Sequence, residues 1–322
     1  MRVNPHPFRR RAAAALALSG ALAATLVGLA PTQSQAATTA TPVRVLFDNA
    51  HAETAGNADW IISTSQPNPY AQNASPTSET DWTGALSSWG VDLAQYPTDY
   101  TLATNPSGRA FTYGSTSNAQ DLSKYDVLVI DEPNTAFTSA ERTALMTFVK
   151  NGGGLFLIID HDQSDRNNDG VDSVDIANQL FSSNGVDDTD PFGVTAAYQN
   201  ISSENTSNLG SGASTHPVVN GAWGQASKSI LRGATTFNLN KSDNAAAQCL
   251  LYRAGVSNTG STGCFMAVST FGSGRVMLWG DSSPVDDGTG QSGNTLYDGW
   301  NDTLGTNAEW ALNGTDWLGK LS

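Results

Sequence analysis

Cysteine is scarce in this sequence: among 322 residues there are only Cys249 and Cys264. The CxxC and HExxH patterns of zinc sites are absent. In an exported protein the two thiols are expected to form one disulfide, which closes a local loop and stabilises the fold by about 3 kcal/mol. A cysteine nucleophile is therefore not expected.

Three other common motifs are also missing. The chain has no GxSxG nucleophile elbow, no Walker A loop, and no GxGxxG after its first apolar strand. Their absence argues against a serine α/β-hydrolase, a P-loop NTPase and a dinucleotide-binding enzyme. The GSG at 272–274 precedes an apolar run and is predicted to be a hairpin turn.

Positive charge is the third shortage. The sequence has 16 Lys and Arg against 30 Asp and Glu. Four of the arginines lie in the first 36 residues, so the remainder carries 12 − 30, a formal charge of −18. This excess argues against a broad basic surface for nucleic acid. A polyanionic substrate would need bound metal ions to offset the repulsion.

Long apolar runs occur only at the start of the chain. Basic Arg9–Arg11 precede an Ala/Leu/Gly-rich stretch to about Ala30, and Ser34-Gln35-Ala36 is a small-residue cleavage site. This pattern predicts a signal peptide over 1–36 and a secreted, extracellular product. No later run reaches the roughly 18 apolar residues of a membrane span. We expect a disordered leader over 37–42, then a single α/β catalytic domain with insertions over 43–322, monomeric and with no membrane partner.

Four apolar runs, at 43–47, 125–130, 155–159 and 275–279, predict buried strands. Between the second and third, Thr138 or Ser139 caps an amphipathic helix, and such a βαβ unit implies parallel strands. Further helices are predicted from Thr80 and Asp81 to Gly90, over 174–181, and at the C-terminus. Shorter strands at 235–239, 249–252 and 265–269 predict a C-terminal β meander that carries the disulfide.

Each of the four main strands ends in polar sequence, and these ends are the candidate site. The residues concerned are Asp48, Asn49 and His51; Asp131 and Glu132; Asp160, His161 and Asp162; and Asp281 and Ser282. In an open parallel sheet, ligands bind outside the carboxyl ends of the strands, so these groups are expected to converge. The alternative is that they only cap the following helices.

Carboxylates with imidazole suit a hard divalent ion, Mg2+ or Mn2+, as catalytic cofactor. The predicted metal ligands are Asp48 and Asp160 with Glu79 or Asp281, although Glu79 is equally well explained as a helix N-terminal carboxylate. His51 and His161 are the candidate general bases, because imidazole titrates near neutrality. His216, before Pro217, is interpreted as a loop residue.

The segment from Asp165 to Gly170, with Asn167 and Asp169 between them, matches the first half of a calcium loop, DxNxDG. Its twelfth position is Ile176 instead of Glu, so it is not a complete EF-hand. Asp172 or Asp175 could complete a structural Ca2+ site. The alternative is an ordinary Asn/Asp turn.

At the level of the fold, the sequence resembles the class I glutamine amidotransferase-like superfamily in its non-amidotransferase branch. The resemblance rests on YDVLVIDEPN (125–134), KNGGGLFLIIDHD (150–162), HPVVNG (216–221), and GRVMLWGDSS (274–283) with NAEWALNGTDWL (307–318). It implies a flavodoxin-like, amidotransferase-like α/β fold, with a mostly parallel sheet and helices on both faces. Asp160-His161-Asp162 stands where amidotransferases carry their catalytic cysteine, so that activity is not expected.

A narrower resemblance is to secreted nonspecific DNases of Streptomyces-type actinobacteria. It rests on FDNAHAETAGNADW (47–60) and PTSETDW (76–82). It implies metal-dependent phosphodiester hydrolysis by an endonuclease acting on DNA, with RNA as a second possible substrate. The residues that match the two motifs are Asp48, Asn49, His51, Glu53 and Glu79.

Two alternatives remain open from the sequence. One is a secreted hydrolase of glycans or phosphorylated small molecules, in which some of the eight tryptophans would serve as sugar platforms. Trp279, Trp310 and Trp317, however, lie in core-like patterns. The other is a non-catalytic, calcium-stabilised binding module.

Overall fold

The computed structural model describes residues 41–291, 293–294 and 296–322. The predicted signal peptide and residues 37–40 of the predicted leader lie outside the described residues. The strands are β1 (Val43–Asp48), β2 (Tyr100–Asn105), β3 (Val127–Asp131), β4 (Gly154–Ile158), β5 (Val194–Ala196), β6 (Glu204–Thr206), β7 (Asn208–Leu209), β8 (Asn220–Gly221), β9 (Gly224–Gln225), β10 (Ser229–Leu231), β11 (Phe237–Leu239), β12 (Gln248–Tyr252), β13 (Cys264–Phe271) and β14 (Gly274–Trp279). The helices are α1 (Ser87–Ala94), α2 (Ser139–Lys150), α3 (Ser173–Ser182) and α4 (Asn307–Leu318).

Ten of these strands form one mixed sheet. Its parallel half has the order β2-β1-β3-β4-β14, and β13, β11 and β5 continue it with antiparallel pairing. In register, Asp131 lies opposite Ile158, which lies opposite Trp279. The carboxyl ends of β3, β4 and β14 are therefore level, and the predicted fold class is confirmed.

Helices cover both faces of the sheet. Val127 and Val129 point to the face that packs against Trp89 of α1 and Leu312 of α4. Leu128 and Ile130 point to the opposite face, where α2 and α3 contribute residues such as Leu145 and Leu180. This alternation is the period-2 pattern of a strand buried on both sides. Trp279, Trp310 and Trp317 are buried, as their patterns indicate.

Helix α2 begins as predicted. The Thr138 side chain accepts a hydrogen bond from the Glu141 backbone N–H, and the Glu141 carboxylate accepts one from the Thr138 N–H. This reciprocal capping box satisfies two N–H groups that the first turn of a helix leaves unpaired. Helix α3 is likewise capped by Asp172, whose side chain accepts from the N–H of Asp175.

The prediction for α1 was wrong at both ends. Asp81 accepts from the N–H groups of Thr77 and Ser78 and so closes its own turn, while the helix starts at Ser87. It continues past Gly90 to Ala94. Gly90 packs closely on other elements, since a Cβ there would lie 2.9 Å from Ile62 and 3.0 Å from Trp82. This glycine permits close packing instead of ending a helix.

Strand β2 was missed. Its sequence, YTLATN, has a single large aliphatic residue, Leu102, and is held at the sheet edge by pairing with β1 along six residues. The meander at the other end was predicted correctly, and Cys249 and Cys264 form a disulfide joining β12 and β13. Within the described chain, none of the helices has the length and apolar character needed to cross a membrane.

Candidate metal centre and strand-end site

The loops that follow β1, β3, β4 and β14 meet at one edge of the sheet. The backbone N–H of Asn134, after β3, donates to the carbonyl of His51 at 2.7 Å. The N–H of Arg166, after β4, donates to Asn134 Oδ1 at 2.8 Å. The hydroxyl of Ser282, after β14, donates to Glu132 Oε2 at 2.9 Å. The predicted convergence of the four strand ends is therefore present, but it is divided into two clusters.

The first, the His51 cluster, consists of Asp48, His51, Glu53, Asn105 and Glu141. The His51 Nδ1 lies 2.6 Å from Asp48 Oδ2, and its Nε2 lies 3.0 Å from Glu141 Oε1. The Asn105 amide donates to Asp48 Oδ1 at 2.9 Å. The His51 ring is sandwiched by aromatic residues, stacked on Phe111 and edge-on to Phe137, each at 4.7 Å. Both ring nitrogens therefore face carboxylates in an enclosed, largely apolar setting.

Asp48, His51 and Glu53 could hold a metal ion. Their ligand atoms all lie within 4.8 Å of one another, and the three side chains are buried. Glu53 Oε2 accepts from the His51 backbone N–H at 2.7 Å. Its other oxygen, Oε1, is buried without a hydrogen-bond partner among the described residues. An unpaired buried oxygen is costly, and a cation beside it would remove that cost.

The electrostatics of this cluster follow from burial and charge. Burial lowers the pKa of His51, but the charge of Asp48 and hydrogen bonds to Asp48 and Glu141 outweigh it and raise the pKa to about 11. Burial opposes ionisation of Glu141, yet hydrogen bonds from His51 and Thr138 lower its pKa to about 2. Burial, followed by the charge of Asp48, raises the pKa of Glu53. In the absence of a metal, this shift favours a protonated His51 whose two ring N–H groups donate to Asp48 and Glu141, an arrangement that disfavours a general base.

The second cluster, the Glu132 cluster, consists of Glu132, Asp160, Ser164, Arg166 and Ser282. The Arg166 guanidinium donates to both carboxylates, with Nε on Glu132 and Nη2 3.0 Å from Asp160 Oδ2. The Ser164 hydroxyl lies 2.8 Å from Glu132 Oε1 and 3.0 Å from Asp160 Oδ2. Glu132 itself has a left-handed backbone, with φ of 45°. That conformation is unfavourable for a non-glycine residue and persists because these contacts fix the side chain.

Buried acids surround the Glu132 cluster. Burial and the charges of Glu132 and Asp281 raise the pKa of Asp160. Burial is also the main cause that raises the pKa of Asp281 to about 8, against hydrogen bonds from the N–H groups of Arg232 and Ser283. Asp131 is 2% exposed, and neither carboxylate oxygen has a partner among the described residues. The Arg166 guanidinium therefore pairs with two carboxylates, those of Glu132 and Asp160, at this edge of the sheet.

His161 differs from His51 because it is only partly buried. Its Nδ1 lies 2.7 Å from the Asp162 carbonyl oxygen and 3.0 Å from the Asn200 amide nitrogen. The shorter contact, to an oxygen that can only accept, favours the tautomer in which Nδ1 donates its hydrogen to the carbonyl. No hydrogen bond to Nε2 occurs within the described part of the chain, and Gly233 is packed against this side of the ring. Unlike both ring nitrogens of His51, Nε2 of His161 therefore has no hydrogen-bond partner among the described residues.

The structure divides the predicted metal ligands. Asp48 belongs to the His51 cluster, whereas Asp160 and Asp281 lie around Glu132. The Glu79 carboxylate is elsewhere: its Oε2 accepts from Ser88 at 3.1 Å and from Asn301 at 3.1 Å. The group of three found within the described residues contains none of Glu79, Asp160 and Asp281. These side chains hydrogen-bond to different partners, and the binding of one or two ions by Asp48, Asp160 and Glu79 or Asp281 stays a prediction.

The predicted calcium loop is closed by its own amides. Asp165 accepts from the N–H groups of Asp169 and Gly170, and Asp169 accepts from Val171. The Asn167 oxygen also accepts from Asp169. Asp172 accepts from Gln163 and caps α3. These are the hydrogen bonds of an Asx-rich turn, and the calcium site stays a prediction.

Sequence reasoning missed several members of the site. The sequence indicates Glu141 only as a helix-capping residue. In the structure its Oε2 contacts Thr138, as a cap requires, and its Oε1 contacts His51. Asn105 ends a strand that was not predicted. Arg166 was treated as a neutral position of the calcium motif. Glu132 was named among the strand-end residues because it directly follows the strand VLVID, but it was given no role.

Comparisons with known proteins address the fold only. No family model matches the sequence. No curated protein matches it either. The solved N-terminal domain of mmIFT52 matches with a TM-score of 0.50 and 12% identity, over 85% of this chain and 97% of that one. A ThuA-like protein from Parabacteroides merdae matches with a TM-score of 0.46 and 11% identity, over 88% and 91% of the two chains. At 12% identity, the likeness to the mmIFT52 domain shows a shared fold alone. The likeness to the ThuA-like protein, with its lower TM-score, supports no conclusion.

Proposed function

We propose that this protein is a secreted, divalent-metal-dependent phosphodiesterase that acts as a nonspecific endonuclease on DNA. The observation that carries the proposal is the buried group formed by Asp48, His51 and Glu53, with one oxygen of Glu53 unpaired. RNA is a second candidate substrate, because nothing in this group distinguishes the two sugars.

The donor set fits a divalent cation. Asp48 Oδ2, His51 Nδ1 and Glu53 would hold the ion, while His51 Nε2–H would donate to Glu141. A carboxylate that accepts from the far nitrogen of a metal-binding histidine orients the ring and increases its basicity. Imidazole favours Mn2+ over Mg2+, whereas carboxylates accept both. When bound, such an ion polarises a phosphate oxygen and offsets the negative charge of the protein towards a polyanion.

The remaining chemistry falls to the chain's own side chains. His161 offers Nε2 as acceptor for the proton of the attacking water, because its Nδ1 is committed to Asp162. The strands β1 and β4 are two positions apart in the sheet, roughly 10 Å. His161 would therefore stand across the substrate from the ion instead of ligating it. Asn49, after β1, would donate its side-chain amide to a phosphate oxygen.

The first experiment is incubation of purified protein with plasmid DNA, linear DNA and RNA, in Mn2+, in Mg2+ and in chelator. We expect metal-dependent degradation, faster in Mn2+. Asp48→Asn should abolish it together with Mn2+ binding measured by calorimetry. His161→Ala should abolish it while Mn2+ binding persists, because His161 lies outside the metal group. Circular dichroism confirms that both variants are folded.

Two results would overturn the proposal. Degradation that survives both substitutions would indicate a contaminating nuclease. No degradation in any metal would favour the glycan hydrolase or the binding module. A glycan hydrolase should bind sugars after metal removal, whereas a binding module should lose only thermal stability in chelator.

A further inference from the structure

A cavity of about 400 Å³ opens beside the His51 cluster. It is lined by residues 106–110, Thr112 and Asn118, in the loop that follows β2. None of these residues belongs to the metal group or to the Glu132 cluster. The cavity is therefore a separate compartment next to the candidate centre.

The loop that lines the cavity is connected by hydrogen bonds to the group of Asp48, His51 and Glu53. The Asn105 amide nitrogen lies 2.9 Å from Asp48 Oδ1 and also 2.9 Å from the carbonyl oxygen of Arg109. A single amide group thus bridges a candidate metal ligand and the cavity wall. At the other end of the loop, the Phe111 N–H donates to Glu141 Oε1 at 3.2 Å, and its ring stacks on His51. These contacts fix the position of the loop relative to the metal.

The cavity carries positive charge on a protein whose formal net charge is −14. Arg109 is exposed, and its guanidinium donates to Asn118 Oδ1 at 3.2 Å. Lys124, also exposed, donates to the Asn118 carbonyl at 2.7 Å. Arg109 forms no ion pair with a carboxylate in the part of the chain that the structure describes. By contrast, Arg44, Arg166 and Arg253 are paired with acids.

Asp121, in the same loop, forms no ion pair with Arg109 or Lys124 among the described residues. Asp121 directs its carboxylate at its own loop, where it accepts from the hydroxyl of Thr112 and the N–H groups of Gly114 and Ser115. Its hydrogen-bonding capacity is thereby used. Arg109 lines the cavity, and of its guanidinium nitrogens only Nη1 forms a hydrogen bond among the described residues. The other N–H donors of the planar guanidinium suit phosphate oxygens.

We infer that this cavity is a phosphate subsite, in which Arg109, with Lys124 behind it, binds a backbone phosphate of the nucleic acid. The inference rests on the proposed phosphodiesterase function, since it names the group that holds the phosphate flanking the cleaved bond. It also explains how an acidic enzyme without a basic surface retains a polyanion: one localised cationic subsite acts together with the metal.

The test is the binding of a labelled, single-stranded phosphorothioate oligonucleotide, which keeps the backbone charge and resists cleavage. Affinity is measured by fluorescence anisotropy in chelator and in Mn2+, for the wild type, Arg109→Gln and Lys241→Gln. Lys241 follows β11, six strands from β2 in the sheet, roughly 29 Å away. Its substitution therefore removes the same charge at a distant place.

Arg109→Gln should weaken binding about tenfold in both conditions and reduce the slope of log affinity against log salt by about 0.7. Lys241→Gln should leave affinity near the wild-type value. A methylphosphonate oligonucleotide, which lacks the charge, should bind the wild type and Arg109→Gln equally.

The possible failures are distinguishable. Equal binding of the charged probe by the wild type and Arg109→Gln, or no binding at all, would overturn the subsite. Arg109-dependent binding by a protein that cleaves no DNA would retain the subsite and reject the nuclease. Cleavage of DNA by a protein whose binding does not depend on Arg109 would retain the nuclease and reject the subsite.

Discussion

At the scale of single residues, the two histidines after β1 and β4 have different roles that their sequence contexts do not reveal. Each follows an apolar strand and an aspartate. His51 is enclosed between Asp48 and Glu141, so it suits metal binding or a fixed charge. In His161 the Asp162 carbonyl contacts Nδ1, and Nε2 has no hydrogen-bond partner among the described residues. The difference is decided by partners distant in the chain, above all Glu141.

His216 provides a prediction about pH. Its Nδ1 accepts from the Val218 N–H, and its ring contacts Trp317. Burial, with a smaller effect of Arg275, lowers its pKa from 6.5 to about 4. Between these values the unfolded chain binds a proton that the folded chain does not, so stability falls as pH drops from about 6.5 to about 4. Allowing for solvent screening, the loss is about 2 kcal/mol.

The measurement is thermal unfolding across this pH range for the wild type and His216→Asn. Asparagine keeps an acceptor near the Val218 N–H but does not titrate. The difference in melting temperature should therefore shift in favour of the variant as the pH falls. Parallel curves for the two proteins would show that His216 does not contribute to acid sensitivity.

At the scale of elements, α1 shows how a helix can be capped from elsewhere in the chain. Its N-cap residue, Leu86, provides no side-chain hydrogen bond. Instead Asp287 accepts from the Ser88 N–H at 2.7 Å and the Ser87 hydroxyl at 2.8 Å. A sequence window around the helix could not identify this partner, and the prediction consequently assigned the cap to the wrong local residues.

Asp287→Ala should lower the free energy of unfolding by about 1–2 kcal/mol, because it leaves a buried helix N-terminus without its acceptor. Asp287→Asn keeps an acceptor oxygen and should lose less. The measurement is urea unfolding followed by circular dichroism. Equal losses for alanine and asparagine would mean that packing or charge, and not the cap, determines the contribution of Asp287.

At the scale of the whole molecule, the disulfide meander and the parallel strands belong to one sheet. β13 pairs with β14 along six residues, and β14 pairs with β4. Cys249 and Cys264 join β12 to β13 on the far side of this junction. The disulfide therefore stabilises the antiparallel part of the same sheet.

Replacing both cysteines by alanine should lower the free energy of unfolding by about 3 kcal/mol, the effect expected for a loop of this length. Because the sheet is continuous, the loss should appear as an earlier single transition by both tryptophan fluorescence and circular dichroism. Mn2+ binding should be unchanged. Separate transitions for the two probes would indicate that the meander unfolds independently.

The sequence alone determined the features that depend on neighbouring residues. Apolar runs identified β1, β3, β4 and β14, the Thr138 capping box located α2, and the two cysteines could only pair with each other. Predictions that relied on weak local signals failed. Strand β2 was missed because its pairing with β1 holds it, and the end of α1 was misplaced because Gly90 serves packing in the middle of that helix. The convergence of strand ends followed from the parallel topology, which a βαβ pattern implies.

Only the tertiary structure decided which of the converging groups share a site. Hydrogen bonds and charge interactions depend on distances of a few ångströms, and strand spacing and side-chain direction set those distances. These separated Asp48 from Asp160 and Glu79, and joined His51 to Glu141 across 90 positions of sequence. They also placed Asp48 and the backbone carbonyl of Arg109 within hydrogen-bonding distance of the same Asn105 amide. Composition predicted a metal-assisted site among acids, and the fold brings Asp48, His51 and Glu53 together as a group that could hold a metal ion.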